Sequence, residues 1–167
     1  MNAKADSASG DKSRQLLRHA VATLAYRGHK AVRGAPAGFA DFRIYETTRT
    51  PGNILAHIGD LLDWALSQAK GKEEWHSSEP LPWDGEVKRF SVALKALDDH
   101  LASALPLAAP PEKLFQGAIA DALSHVGQIL LLRRMAGSPV RAENYSKAEI
   151  VAGRVGAEQT APHREFD

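Results

Sequence analysis

The sequence predicts an all-α fold, a four-helix bundle with a long connection between its second and third helices and a short helix near the C-terminus. Four stretches of at least 18 residues carry apolar side chains three and four positions apart, a pattern typical of helices buried along one face. No stretch shows the alternating pattern of a strand. The prolines stand between or after the four stretches or at their first positions, where they interrupt or start helices.

The composition favours a single domain that binds neither nucleic acid nor a membrane. The chain has 167 residues, enough for one core, and its 21 basic and 20 acidic side chains leave no basic excess. No apolar run approaches the roughly 20 residues that span a bilayer, and the polar N-terminus lacks the apolar core of a signal peptide. We therefore expect a cytoplasmic protein. The absence of cysteine excludes disulfides, thiolate zinc sites and cysteine nucleophiles.

The domain organisation follows from these stretches. We expect a disordered N-terminal tail at residues 1–12, the bundle at 13–155, and a C-terminal tail at 156–167 that packs on the bundle or extends from it. The four helices are expected at about residues 11–28, 51–70, 86–105 and 111–137. Helix two has the clearest start, because Thr50 suits an N-cap and Pro51 suits the first helical position.

The connections between helices constrain the topology. The stretch 71–85 is long enough to run the length of the bundle, so helices two and three can be parallel neighbours joined by a crossover. The short connection between helices three and four favours an antiparallel neighbouring pair. Ser146 and Glu149 have the spacing of a capping box, which predicts the short C-terminal helix.

Three polar side chains fall on helix faces that are otherwise apolar. They are His57 in helix two and the pair Asp121 and His125 in helix four. Residues four apart project from successive turns of one face, so the pair is expected on the buried side. Two imidazoles and a carboxylate suit zinc, nickel or iron(II), and three protein ligands leave coordination positions for water or substrate.

A second interpretation needs no metal. A histidine on an apolar face is more often a hydrogen-bonded core residue, and an Asp–His pair four apart can satisfy itself on a helix surface. In that case the chain is a non-catalytic bundle that binds a small ligand or a partner chain. His57, Asp121 and His125 then form a buried polar network.

Other polar residues carry weaker indications. Gln128 lies one turn beyond His125, either supporting that ring or exposed to solvent. Arg133 and Arg134 close helix four, where cations suit the helix dipole, so a capping role is expected. The remaining histidines fall on polar faces or in loops and are expected to be solvated: His19, His29, His76, His100 and His163.

Two runs of sequence resemble a known family. The run TPGNILAHIGDLLDWAL, followed much later by IADALSHVGQILLLRRMAGSPV, is similar to the DinB-like superfamily, named for DNA-damage-inducible proteins. The resemblance extends over about residues 14–155. It implies a four-helix bundle with a crossover between helices two and three. It also implies one divalent metal held at His57, Asp121 and His125, although the family usually has histidine where this chain has Asp121.

The resemblance also implies a chemistry. Family members with an assigned activity include metal-dependent thiol transferases and an isomerase that use a low-molecular-weight thiol, and many members have no known activity. The expectation for this chain is therefore a metal-dependent transferase with such a thiol as co-substrate, or a hydrolase. Asp121, if ligated, reduces the effective charge of the metal; otherwise it orients His57 or His125. A homodimer through exposed helix faces is compatible with either interpretation.

Overall fold

Helices dominate the fold. The computed structural model describes the backbone of residues 3–166 and the side chains of residues 12–166. Helix α1 spans Ala3–Val32, α2 Pro51–Ala69 and α3 Trp83–Ala102. The fourth helix consists of α4 at Pro111–Leu114, a π-helical segment at Phe115–Ile119 and α5 at Ala120–Met135. The predicted all-α class is confirmed, and a two-stranded antiparallel sheet pairs β1, Ala142–Glu143, with β2, Glu165–Phe166.

The ends of α2 follow from local chemistry. Thr50 and Asn53 form a capping box in which the Thr50 Oγ1 accepts from the Asn53 N–H at 3.1 Å. At the other end Gly71 has a φ of 75°, and the N–H of Lys72 donates to the carbonyl of Ser67 at 2.9 Å. This Schellman arrangement ends the helix cleanly, because glycine adopts the left-handed region without steric cost.

The four long helices enclose one hydrophobic core. Helix α1 packs on α3 and α5, and α2 packs on the same two helices from the other side. The largest fully buried side chains come from every long helix: Leu24, Leu55, Ile58, Leu62, Phe90, Leu94, Leu97, Leu101, Leu114, Ile119 and Ile129. Among the described residues, no helix has both the length and the apolar character needed to cross a bilayer.

Helices α3 and α5 lie across the core from each other, so the expected antiparallel neighbour pair is wrong. The eight residues 103–110 reach up to about 27 Å when extended, whereas opposite corners of a bundle are about 14 Å apart. The connection passes over the end of α2, where the N–H of Ala108 donates to the carbonyl of Ala69 at 3.0 Å. A short connection therefore did not require adjacent helices.

Two contacts align α2 with α3. Near the start of α3, Arg89 donates to the carbonyl of Ala56 at 3.3 Å. Near its end, the Nε2 of His100 lies 3.3 Å from the carbonyl of Ala69. The early turns of the two helices therefore meet each other, and so do their last turns.

Two histidines expected to be solvated are buried. His29 is packed against the ring of Phe90 at 5.3 Å, and its Nε2 lies 3.3 Å from the carbonyl of Val155. Burial lowers the pKa of His29, although the contact with Val155 acts in the opposite direction. His100 is buried against the end of α2. Each ring finds a backbone carbonyl from a distant segment, which helical spacing alone does not reveal.

Both ends of the chain differ from expectation. The tail expected at residues 1–12 is helical backbone from residue 3 onward, where three of the first six residues are alanine, the best helix former. Residues 1 and 2 lie outside the described range. The capping box expected at Ser146 and Glu149 does not form a helix; a 3₁₀ turn occupies Tyr145–Lys147, and the Asn144 side chain caps it.

The C-terminal segment packs on α1. Lys30 bridges Glu143 of β1 at 2.6 Å and Glu165 of β2 at 2.7 Å. Tyr26, one turn earlier, donates its hydroxyl to Glu143 at 2.7 Å. Burial, followed by this hydrogen bond to Glu143, raises the pKa of Tyr26. The strand pair is therefore held to α1 by hydrogen bonds and ion pairs.

Arg133 joins the ends of α1 and α5. Its guanidinium, almost fully buried, donates to the carbonyls of Ala31, Arg33 and Gly34 and to the backbone and hydroxyl of Ser138, all within 3.1 Å. The carbonyls at the end of α1 have no intrahelical partner. The expected capping role of Arg133 is thus directed mainly at α1.

We expect Arg133→Ala to lower the free energy of unfolding by about 3 kcal/mol, because the carbonyls of Ala31, Arg33 and Gly34 lose a charged donor at about 1 kcal/mol each. Urea denaturation at pH 7 measures the change. Arg134→Ala, a substitution at the exposed neighbouring position, is the matched control and should stay within about 0.5 kcal/mol of the unmodified chain. Equal effects of the two substitutions would contradict the capping role.

Candidate metal centre

The three residues expected to bind a metal converge in the fold. His57 comes from the second turn of α2, and Asp121 and His125 come from the first turns of α5. One ligand atom from each lies within 4.8 Å of the others. The rings of His57 and His125 meet edge to face, with centroids 4.8 Å apart. We call these three residues the candidate centre.

The separations between Asp121 and the two histidines are longer than hydrogen bonds. The His57 Nε2 lies 3.9 Å from one oxygen of Asp121, and the His125 Nε2 lies 3.5 Å from the other. Both separations exceed the 2.7–3.2 Å range of N–H···O hydrogen bonds. Two ligand atoms bound about 2.1 Å from one tetrahedral zinc ion are about 3.4 Å apart. The donor set and its spacing therefore fit a divalent metal.

The three side chains of the candidate centre differ in their exposure to solvent. The side chain of His125 is 11% exposed, that of His57 23% and that of Asp121 49%. The expectation that Asp121 lies on the buried side is therefore wrong. Ala122 faces the core, and Asp121, one residue earlier, is turned by about 100° toward the flank beside α2. The candidate centre is consequently open to solvent on the side of Asp121.

Gln128 fixes the orientation of His125. Its side-chain oxygen accepts a hydrogen bond from the His125 Nδ1 at 3.0 Å. Because an amide oxygen can only accept, the proton resides on Nδ1, and the Nε2 lone pair faces Asp121. Gln128 is exposed to solvent and also supports the ring of His125, so both of the roles expected for it apply. Partners of this kind are common behind histidine ligands.

The electrostatic environment keeps His57 neutral. Burial lowers its pKa below the ordinary value of 6.5, and the nearby His125 and Arg49 lower it further, outweighing Asp121 and Asp60. At pH 7 the ring is therefore a neutral imidazole, with one nitrogen free to bind a metal. The neutral form is the one that binds metals, so no proton must be displaced before coordination.

Two tryptophans adjoin the centre. Trp75, in the connection between α2 and α3, contacts the ring of His57 at 5.8 Å and the ring of Trp64 at 5.9 Å. Trp64 lies over Gly117 in the π-helical segment, where an added Cβ would come within 3.5 Å of the indole. Trp75 lies in a connecting segment, whose path helical periodicity does not predict. Its contact with a candidate ligand depends on the path of residues 71–82.

That path is fixed by a group of charged residues that we call the Asp60 cluster. Asp60 is buried; it pairs with Arg89 of α3 and accepts from the hydroxyl and the N–H of Ser78, at 2.8 and 3.0 Å. His76 lies 3.1 Å from Asp60 and 3.4 Å from Asp63. The cluster, Asp60, Asp63, His76, Ser78 and Arg89, therefore binds the connection to both α2 and α3.

The electrostatics of Asp60 reflect its partners. Burial by itself raises the pKa of this carboxyl, but the hydrogen bonds from Arg89 and Ser78 outweigh burial and leave the pKa below its ordinary value of 3.8. Gly59 makes the approach of Arg89 possible, because an added Cβ would lie 3.0 Å from the guanidinium carbon. A carboxylate buried under a guanidinium is thus built into the α2–α3 contact.

We expect Asp60→Asn to destabilise the protein by about 3 kcal/mol at pH 7, because Arg89 loses its buried counter-charge. A carboxyl whose pKa is lower in the folded state stabilises the fold fully above its pKa in the unfolded state, near 3.9. This stabilisation is lost as the pH falls through the pKa of the folded state. The difference in free energy of unfolding between Asp60→Asn and the unmodified chain should therefore become smaller below about pH 4. Chemical denaturation at a series of pH values measures it. Asp99→Asn, in an exposed pair with Lys95, is the control. A difference independent of pH would contradict the assignment.

We expect Gln128→Leu to weaken metal binding by about ten- to a hundred-fold, because the ring of His125 loses the acceptor that fixes its tautomer. Calorimetric titration with zinc measures the affinity, and Gln116→Leu, at another exposed position of the fourth helix, is the control. Thermal stability without metal should change little for either variant. An unchanged zinc affinity would show that Gln128 does not support a ligand.

No family model, curated protein or solved structure matches the chain. The similarity to the DinB-like superfamily consequently stays a prediction that rests on the two sequence runs. What the structure adds is independent of that similarity: His57, Asp121 and His125 meet at one place, with separations suited to an ion.

Proposed function

We propose that the chain is a DinB-like protein that binds one divalent metal, zinc, nickel or iron(II), through His57, Asp121 and His125. The convergence of these residues from two helices carries the proposal. The supporting details are the spacing of the ligand atoms, the neutral state of His57 and the acceptor behind His125. Two imidazoles and one carboxylate form a donor set that all three metals accept.

The proposal includes a four-helix bundle with a crossover between α2 and α3. The contacts that align the two helices support it, since their early turns meet and their last turns meet. The connection also follows α2 backward: Glu74 is bonded to Ser67, and Ser78 is bonded to Asp60, nearer the start of the helix. Such a return path is what a crossover between parallel neighbours requires.

The proposed activity is transfer of a low-molecular-weight thiol. A bound divalent metal stabilises the thiolate and so supplies a nucleophile at neutral pH. The residues of the chain prepare the site: His57 presents a neutral imidazole, Gln128 holds His125 in place, and Asp121 would offset part of the positive charge. The solvent-exposed side of Asp121 provides access for a substrate. The same access suits a hydrolase, in which water takes the place of the thiol.

The non-catalytic alternative has less support. A buried polar network needs short hydrogen bonds and exclusion from water, but the contacts of Asp121 are 3.5 and 3.9 Å and its side chain is half exposed. A homodimer and a cytoplasmic location stay predictions.

We expect one metal to bind per chain, with an affinity that depends on both histidine ligands. His57→Ala and His125→Ala should each weaken zinc binding at least about a hundred-fold, because two protein ligands hold an ion poorly. His19→Ala, an exposed histidine on α1, is the control. The measurement is elemental analysis after dialysis, with calorimetric titration, on protein free of a histidine tag. Binding that survives His125→Ala would overturn the proposal.

The role of Asp121 is tested separately. If it is a direct ligand, Asp121→Ala should weaken zinc binding by about ten-fold or more, and Asp121→His, which supplies another ligand, should keep the stoichiometry at one. If Asp121 only orients a histidine, Asp121→Asn should bind zinc as the unmodified chain does. That outcome would remove Asp121 from the ligand set.

A further inference from the structure

We propose that Trp75 forms the substrate-contacting wall of the candidate centre, and that the thiol taken there carries a planar aromatic group close to its sulfur. This inference rests on the proposed function and adds the class of ligand. It depends on three features of Trp75: its contact with a candidate ligand residue, its half-exposed ring and the contacts that hold the chain around it.

The position of Trp75 places an aromatic ring beside the centre. The ring of His57 contacts His125 on one side, at 4.8 Å, and Trp75 on another, at 5.8 Å. The indole of Trp75 is therefore in contact with a residue proposed to hold the ion. The contact is edge to face, with an angle of 69° between the two rings.

Trp75 is not buried by these contacts. The residue remains 47% exposed, although the ring of Trp64 contacts it at 5.9 Å. A large apolar ring that is half open to water gains free energy when a ligand covers it. Aromatic ligands gain most, because offset and edge-to-face contacts between rings add to the burial of area.

The chain on both sides of Trp75 is held in place. Before it, Glu73 accepts from the Trp64 Nε1 at 3.2 Å, and Glu74 exchanges hydrogen bonds with Ser67. After it, His76 and Ser78 belong to the Asp60 cluster. Exposed aromatic residues that are fixed before a ligand arrives lose little entropy on binding, which is why recognition surfaces use them.

The experiment uses the full chain loaded with cobalt(II), a spectroscopic substitute for zinc, and two thiols. Phenylmethanethiol has a ring one carbon from sulfur, and ethanethiol has no ring. Absorption from the sulfur-to-cobalt transition gives each affinity. We expect the unmodified chain to prefer phenylmethanethiol by about ten-fold, and Trp75→Leu, fully loaded with cobalt, to lose most of that preference, measured as the ratio of its two thiol affinities.

The matched variants distinguish the effect of an aromatic ring from the effect of side-chain size. Trp75→Phe keeps a planar ring and should keep at least half of the preference on a logarithmic scale. Tyr45→Leu removes another exposed aromatic residue, 73% accessible, and should change nothing. Circular dichroism and thermal melts verify that each variant is folded, and Trp75→Phe provides the test if Trp75→Leu is unstable.

The possible failures are distinguishable. If the chain binds cobalt and both thiols without an aromatic preference, or if Trp75→Leu weakens both thiols equally, this inference is overturned and the proposed function stands. If the chain does not bind cobalt at His57 and His125, the proposed function fails, and the inference that rests on it fails as well.

Discussion

The pairing of Arg89 with Asp60 determines much of the architecture around the candidate centre. It joins α2 to α3 inside the protein, where removal of either charge would leave the other without compensation. Because Asp60 also binds Ser78, the same carboxylate fixes the connection that returns along α2. The register of two helices and the path of a connection therefore depend on one side chain.

The segment HIGDLLDW of α2 combines these tasks on different faces of one helix. His57 faces α5 as a candidate ligand, and Gly59 leaves room for the guanidinium of Arg89. Asp60 and Asp63 bind Arg89, and Trp64 packs against Trp75. A substitution anywhere in the segment acts on the centre either directly or through the connection that carries Trp75.

Local properties of the fold were predictable from the sequence, and long-range partners were not. Helix α2 starts at Pro51 as expected, because the capping box at Thr50 is a local feature. The three candidate ligands also meet, although periodicity predicted Asp121 on the buried side and its side chain is half exposed. Periodicity does not reveal which distant carbonyl a buried histidine will find, so His29 and His100 were misassigned.

The same limit applies to the order of the helices and to the neighbours of the centre. The length of the connection at 103–110 was compatible with adjacent or opposite helices, and only packing on the common core decides between them. Trp75 and the Asp60 cluster depend on contacts between residues that lie far apart in the sequence. Asp121 is exposed because each residue of a helix is turned by about 100° from the one before it, so a residue at the edge of a buried face can lie in solvent.

Asp121 also sets the charge of the proposed centre. Two neutral imidazoles leave the charge of a divalent ion unchanged, and one carboxylate reduces the total from two to one. A thiolate bound there would give a neutral site, whereas a third histidine in place of Asp121 would leave a net charge of one. A neutral complex would cost less to hold beside the ring of Trp75, because desolvation penalises net charge. In the proposed centre the carboxylate would therefore reduce the activation of the thiol and favour retention of an apolar ligand, which is the class proposed for Trp75.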